Sequence, residues 1–97
     1  MNNYRKGRKL EYLARDALEA RGYTVVRSAG SKGPIDLVAT GTKHVLLIQV
    51  KADRRTRPKD IAKLNAVPVP ARGVYKEIWE RRKNGAWRIT RLKRRNP

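Results

Sequence analysis

The longest apolar run in this chain extends from Val45 to Ile48 and is followed directly by Gln49-Val50-Lys51. A run this short cannot cross a bilayer, and it predicts the central strand of a sheet over His44 to Lys51. The preceding apolar run, Ile35 to Ala39, is joined to it by Thr40-Gly41-Thr42-Lys43, which is typical of a β-hairpin. The fold must therefore be organised around this hairpin.

The segment before the hairpin predicts a helix, a strand and a loop. Apolar residues recur at helical spacing from Arg5 to Arg21, and Gly22 supplies a stop signal. Tyr23 to Arg27 is short and β-branched, which predicts a strand. The following stretch from Ser28 to Pro34 is rich in turn formers and predicts a loop long enough to carry function.

The segment after the hairpin predicts a helix and two strands. A helix begins at a proline and covers residues 58 to 66, and the strands are Val74 to Arg81 and Trp87 to Leu92. Between these strands, Asn84-Gly85 predicts a tight turn, because both positions tolerate positive φ. The predicted fold is α/β, with a mixed central sheet of about five strands flanked by helices in the order α-β-β-β-α-β-β.

Length and charge limit the possible organisation and partners. The 97 residues leave room for a single domain over residues 1–97, and we expect the basic tail to fray from about Lys93. The chain has 25 Lys and Arg against 8 Asp and Glu, a formal net charge of +17, which predicts a polyanionic partner. Nucleic acid is favoured over membrane because no amphipathic basic helix with a bulky aromatic face is present.

The chain has no cysteine, which excludes disulfides and thiolate metal sites. The single histidine, His44, cannot build a zinc site alone and is interpreted as structural. Any metal must therefore be bound by oxygen. The first residues lack the apolar stretch of a secretory signal, so the expected location is the cytoplasm, of the host cell if the source is viral.

Candidate chemistry converges on the predicted hairpin. Gln49 and Lys51 are two residues apart on one strand and share a face, and hairpin geometry places them opposite Asp36. Glu11 lies at the rim of the apolar stripe of the first helix. Phosphodiester hydrolysis needs oxygen ligands for Mg²⁺ and a cation that offsets developing charge. Candidate ligands are Glu11, Asp36, the Gln49 amide oxygen and the Val50 carbonyl, and Lys51 is the candidate cation.

These residues fall into motifs that resemble a known family. Glu11 in the first helix, Arg27-Ser28-Ala29-Gly30-Ser31, Pro34-Ile35-Asp36 and Gln49-Val50-Lys51 look like the archaeal-type Holliday junction resolvases, a branch of the PD-(D/E)xK nuclease superfamily. The resemblance covers roughly residues 5 to 90. The superfamily motif alone is weak, whereas its combination with the helix Glu and the Arg-Ser-Ala-Gly-Ser loop is much more specific.

The resemblance implies a structure-selective endonuclease that acts in DNA recombination and repair. Such an enzyme is a homodimer that uses Mg²⁺, or Mn²⁺ in its place, to nick opposed strands of a four-way junction. Carried over onto this sequence, Glu11, Asp36 and Lys51 are catalytic. Arg27 and Ser31 contact the phosphate backbone or support the active site, and Ser31 is counted with the catalytic set.

Two positions depart from the family pattern. Pro34-Ile35-Asp36 stands where the pattern has adjacent Pro and Asp, which changes nothing if Asp36 follows a slightly longer loop. Gln49 occupies the usual Glu position and is also counted with the catalytic set. An amide binds Mg²⁺ through oxygen but supplies no charge, so we expect weaker metal affinity and one metal ion in preference to two.

Cations near these motifs are candidates for phosphate contacts. Arg54, Arg55 and Arg57 form a basic run directly after the central strand, where they are placed to grip phosphates that flank the cut. A plain solvated face is the alternative interpretation of this run. The remaining candidate DNA-binding residues are Arg5, Lys6, Arg8, Arg27 and Lys32.

Each candidate also has an ordinary structural interpretation. Asp36 is compatible with a residue that simply begins a strand, and Glu11 with a surface ion pair to Arg8 or Arg15 on its own helix. Lys51 is compatible with one more phosphate contact, Ser31 with a turn former, and Arg27 with generic charge.

The remaining acids and the tryptophans are interpreted as structural. Trp79 and Trp87 are expected to pack in the core or a dimer interface, with base stacking as the alternative. The residues interpreted as solvated or ion-paired surface acids are Asp53, Asp60, Glu77 and Glu80.

Two other functions remain open on the sequence. One is a different nuclease of the same superfamily, of a nicking, flap or replication-repair type. The other is a non-catalytic, basic architectural binder of nucleic acid, in which Gln49 marks a decayed metal site. Cleavage of linear or flapped DNA favours the first, and tight, salt-sensitive binding without cleavage favours the second.

Overall fold

A computed structural model describes the backbone of residues 3–28, 33–70 and 72–93, and the side chains of these residues from residue 7 onward. The element order confirms the order α-β-β-β-α-β-β predicted from the sequence. The elements are α1 (Asn3–Ala20), β1 (Thr24–Arg27), β2 (Leu37–Thr40), β3 (Val45–Ala52), α2 (Pro58–Asn65), β4 (Val74–Arg81) and β5 (Trp87–Arg91).

The five strands form one mixed sheet in the order β1-β2-β3-β4-β5. Neighbouring strands are antiparallel except for β3 and β4, which run parallel and are connected through α2. β3 is thus the central strand, as the apolar run predicts. β2 pairs with β3 as far as Ile48, and β4 pairs with it as far as Ala52, so β4 holds the end of β3 in register.

The core lies between α1 and one face of the sheet, where α1 packs against β1, β2 and β3. Alternate residues of β2 and β3 point into this core, as the pleat requires. α2 packs against β4 and buries Leu64 outside this cluster. The core cluster consists of Ala14, Leu18, Leu37, Ala39, Leu46, Ile48 and Trp79.

The turn between β4 and β5 differs from the expectation for Asn84-Gly85. Gly85 has a φ of 85°, whereas Asn84 is not among the positive-φ residues of the described chain. Strand pairing stops at Arg81 and Trp87, and the Gly85 N–H donates to the carbonyl of Arg82 at 2.9 Å. The loop is therefore longer than a two-residue turn and needs glycine at only one position.

Glu77 is a correction to the sequence interpretation, because it is a buried acid and not a surface one. Its side chain is buried on β4, where one carboxylate oxygen accepts the Trp79 indole N–H at 3.0 Å and the other pairs with Arg91 at 2.8 Å. Two partners satisfy the carboxylate, which makes its burial possible. Trp79 is buried and Trp87 packs against it, so core packing is confirmed for both.

Within the part of the chain that the structure describes, no helix combines the length and apolar character needed to cross a membrane.

Candidate active site

Asp36 lies at the start of β2, directly against the end of β3. Its backbone N–H donates to the Ile48 carbonyl at 2.8 Å, and its Oδ2 accepts the backbone N–H of Val50 at 2.8 Å. The hairpin register, with Leu37 opposite Ile48, places Asp36 beside Gln49. The structure thus brings Asp36 to the position that the hairpin geometry predicts.

The start of β2 and the end of β3 lie at one end of the sheet, called the site edge or simply the edge below, and Glu11 reaches this edge from α1. Its Oε1 lies 3.6 Å from Nη1 of Arg27 at the end of β1, and both side chains are mostly buried. The Arg27 guanidinium also lies over the Tyr12 ring, 5.1 Å from its centroid. Arg15, a surface partner considered for Glu11, pairs instead with Asp16 at 3.0 Å. The structure therefore places Arg27 beside the candidate acid Glu11, and its role in the site stays a prediction.

Burial raises the pKa of both carboxyls at this edge. For Glu11, burial and the nearby negative charge of Asp36 raise the pKa, and Arg27 lowers it by a smaller amount. For Asp36, burial raises the pKa more than the Val50 N–H, Lys51 and Arg27 together lower it. Two carboxyls whose pKa values are both raised by burial form a cluster that a bound cation would stabilise.

Gln49 carries an unsatisfied oxygen at this cluster. Its Oε1 is buried and accepts no hydrogen bond from any residue that the structure describes. A buried oxygen without a donor costs free energy, and a divalent cation or its hydration water satisfies such an oxygen. The residues at the edge therefore fit an oxygen-bound divalent metal.

The negative charge available to a metal comes from two carboxylates. In the described ranges, no group of three or more His, Cys, Asp or Glu side chains is placed to hold a metal ion. This agrees with the departure at Gln49, where an amide stands in place of an acid. The candidate oxygen ligands at this edge thus remain Glu11, Asp36 and the neutral Gln49, together with the Val50 carbonyl predicted from the sequence.

Lys51 has an anionic partner that the sequence interpretation missed. Its Nζ lies 3.3 Å from Oδ2 of Asp60 in the first turn of α2, and the two side chains are 25% and 13% exposed. The same Oδ2 accepts the backbone N–H of Arg57 at 2.9 Å. Although burial raises the pKa of Asp60, the Arg57 N–H and Lys51 lower it overall. An acid at the third position of a helix is an ordinary N-terminal signal, so nothing in the sequence singled it out.

The basic run after β3 borders this edge. Arg54, Arg55 and Arg57 are exposed in the connection between Lys51 and α2, which leaves their guanidinium groups accessible to a ligand. Arg54 has a φ of 59°, a left-handed conformation that turns the chain back toward the sheet. Arg8 is partly buried on α1. Ser31, Lys32 and the side chains of Arg5 and Lys6 lie outside the described residues.

A mixed sheet with a helix acid, a strand-start acid and a strand-end lysine on one edge defines the PD-(D/E)xK nuclease superfamily. Residues 2–67 match the sequence profile of the family described as archaeal Holliday junction resolvase (Hjc). Because this match covers more than half of the chain, the chain belongs to the archaeal Holliday junction resolvase family.

Two relatives support this assignment. The chain is 40% identical over 67 residues to the crossover junction endodeoxyribonuclease Hjc of Methanocaldococcus jannaschii. The aligned residues cover 65% of this chain and 50% of that protein. The chain thus spans about half the length of the curated relative it matches. Its structure is similar to that of Archaeoglobus fulgidus Hjc, a Holliday junction resolvase, with a TM-score of 0.71, 25% identity, and coverage of 94% of this chain and 79% of the other.

Proposed function

We propose that this protein is a structure-selective endonuclease that resolves four-way DNA junctions in recombination and repair. The observation that carries the proposal is the convergence of Glu11, Asp36, Gln49 and Lys51 on one sheet edge of a resolvase-family chain. The acids and the lysine are the groups that phosphodiester hydrolysis requires, and the formal net charge of +17 suits a DNA substrate.

Mg²⁺ is the proposed cofactor, and Mn²⁺ is expected to substitute for it. Glu11, Asp36, the Gln49 Oε1 and the Val50 carbonyl would hold the ion. A divalent cation polarises a phosphoryl oxygen and generates a nucleophile from water at neutral pH. Asp36 is held in place for this role by the Val50 N–H, which fixes one of its two oxygens at 2.8 Å.

The two cations at the site, Lys51 and Arg27, have different proposed roles. Lys51 offsets negative charge that develops on the phosphate during cleavage. Arg27 holds the Glu11 carboxylate and lowers its proton affinity, which keeps it available to a cation. Ser31 is proposed to contact the phosphate backbone or to support the active site, as the resemblance to the family implies.

DNA is proposed to be gripped through its phosphates and selected by shape. The exposed Arg54, Arg55 and Arg57 flank Lys51 and are placed to bind phosphates beside the cut. Such contacts carry no base information, so junction geometry would decide which DNA is cut. The other proposed DNA contacts are Arg5, Lys6, Arg8 and Lys32.

A homodimer is proposed because a four-way junction has two symmetric cleavage points. Val26, Val38 and Leu47 lie in register across β1, β2 and β3 on the sheet face away from the α1 core. Val26 is 63% exposed, so this row offers apolar surface to a second copy of the chain. Light scattering at assay concentration should give twice the chain mass. The expected location is the cytoplasm.

The test incubates the protein with a four-way junction and with linear duplex of matching sequence, in Mg²⁺ and in EDTA, with every strand labelled. Paired nicks in opposed strands of the junction alone, lost in EDTA, are the expected result. Cleavage of linear or flapped DNA would reassign the chain to another nuclease activity. A junction that is bound but never cut would replace the enzyme with an architectural binder.

A further inference from the structure

Asp60 occupies a place in the site that none of the sequence motifs assigns. It belongs to α2, yet its carboxylate lies 3.3 Å from the Lys51 ammonium at the end of β3. It is mostly shielded from water, so this contact is screened less than an ion pair on the open surface. The pair joins the helix that follows the site to the strand that builds it.

The carboxylate of Asp60 is itself held in place. Its Oδ2 also accepts the Arg57 N–H at 2.9 Å, and Arg57 immediately precedes the first turn of α2. A side chain with two partners on one oxygen has little rotational freedom. Asp60 therefore fixes the Lys51 ammonium relative to the first turn of α2.

No acid lies on β3, and Glu80, opposite Lys51 on β4, accepts the Thr56 hydroxyl. Gln49, two residues earlier on the same face, is neutral, so it attracts the ammonium weakly. Asp36 lies across the hairpin and interacts electrostatically with Lys51, but the ion pair that Lys51 forms is with Asp60. A long, flexible lysine side chain needs a fixed anion to remain in one place.

We propose that Asp60 is a positioning residue for Lys51, holding the ammonium where it meets the phosphate that is cut. This inference rests on the proposed function. Asp60 does not touch the substrate; it supplies from α2 the anionic anchor that the neutral Gln49 does not provide. Displacing a catalytic group by about 1 Å lowers the rate by about a hundredfold.

The decisive variant is Asp60→Asn, which keeps an oxygen that accepts the Arg57 N–H but removes the charge that holds Lys51. Single-turnover cleavage of a four-way junction should fall by about tenfold to a hundredfold. Junction affinity should be unchanged or tighter, because a negative charge is removed near the DNA. Asp53→Asn is the matched control: it removes the same charge from a partner of Arg82 and should cut at the wild-type rate.

A double-mutant cycle separates positioning from a purely structural role. If Asp60 acts through Lys51, adding Asp60→Asn to Lys51→Ala should change the cleavage rate by less than about twofold. An equal loss in both backgrounds, or a wild-type rate for Asp60→Asn alone, would overturn the inference.

A second measurement does not depend on cleavage. Lysines are acetylated with a small anhydride and the products are identified by mass spectrometry. Lys51 should be labelled several-fold faster in the Asp60→Asn variant than in the wild type, whereas labelling of Lys63, which lies on α2 with Asp60, should not change. Unchanged labelling of Lys51 would overturn the pairing. If the wild-type protein cuts no junction in any metal, the proposed function fails, and the labelling result still decides whether Asp60 holds Lys51.

Discussion

Arg27 at the end of β1 pairs with Glu11 of α1, with its Nη1 3.6 Å from Glu11 Oε1. The pair joins the first helix to β1, the edge strand of the sheet, close to Asp36, which immediately precedes β2. Arg27 also lowers the pKa of both acids, Glu11 and Asp36. One cation thus tunes two carboxyls whose pKa values are raised mainly by burial.

The acid limb of cleavage should lie at higher pH than the ordinary pKa of a carboxyl. Glu11 and Asp36 must be ionised to hold a cation, and burial raises the pKa of both. Activity should therefore be lost as pH falls through the raised values, before ordinary surface carboxyls protonate. A pH–rate profile at saturating junction and subsaturating Mg²⁺, where the rate reports the metal-free carboxyls, tests this, and an acid limb at the ordinary carboxyl pKa would contradict it.

Replacing Arg27 by Met should move this acid limb to still higher pH. The change keeps most of the apolar stem but removes the charge that lowers the pKa of Glu11 and Asp36. Arg15→Met is the matched control, because Arg15 also lies over the Tyr12 ring, at 4.9 Å, but pairs with Asp16. Profiles of the two variants and the wild type are compared at saturating junction. Equal shifts in both variants would show a general charge effect.

Asp36→Asn should abolish cleavage and stabilise the metal-free protein by about 1 kcal/mol at neutral pH. The raised pKa means that the folded chain holds protons that the unfolded chain releases. Stability from this group is therefore present at low pH and is lost as pH rises from the ordinary to the raised pKa. Asparagine removes that loss and still accepts the Val50 N–H.

Urea unfolding in EDTA measures this gain, alongside junction cleavage in Mg²⁺. Asp16→Asn, at an exposed acid paired with Arg15, is the control and should retain activity. Cleavage by the Asp36 variant would remove Asp36 from the catalytic set.

Gln49→Glu should lower the Mg²⁺ concentration for half-maximal cleavage by about tenfold. The change places a third carboxylate where an oxygen is now buried without a donor in the described chain. In EDTA the same change should destabilise the fold, because a buried charge is added beside two acids. Titration calorimetry with Mn²⁺ provides the binding readout. Unchanged affinity would show that the side chain at position 49 does not contact the metal.

Glu77→Ala should destabilise the fold by about 2–4 kcal/mol without a direct effect on the site. The change leaves the Trp79 indole N–H without an acceptor and Arg91 without its carboxylate. Glu19→Ala, at an exposed acid of α1, is the control and should change stability little. Urea denaturation of both variants gives the comparison, and equal stabilities would contradict the importance of the buried carboxylate.

The site was predictable where it depends on local spacing. The separation of Gln49 and Lys51 by two residues on an apolar strand fixes their common face, and the hairpin fixes Asp36 opposite them. The order of the elements along the chain follows from the same patterns, since each strand is a short β-branched or apolar run. Glu11 was predicted as a site residue because it lies at the rim of the apolar stripe of the first helix.

The missed features depend on contacts across elements. Asp60 reaches Lys51 through a connection that turns at Arg54, which has a left-handed conformation. A glycine at this position would have predicted that conformation from the sequence, but an arginine does not. Glu77 appears exposed in sequence because acids rarely lie on buried strands. Its partners, Trp79 and Arg91, become visible only when β4 and β5 are paired.

The parallel pairing of β3 and β4 divides the chain in the order of folding. The antiparallel pairs β1–β2 and β2–β3 join segments that are close in sequence, and this part of the sheet holds Asp36 beside the end of β3, which carries Lys51. The β3–β4 ladder closes only after the crossover through α2, so it pays a larger loop-closure entropy and forms later. We therefore expect Asp36 and the end of β3 to come together first, and the later docking of α2 beside β4 to bring Asp60 to Lys51.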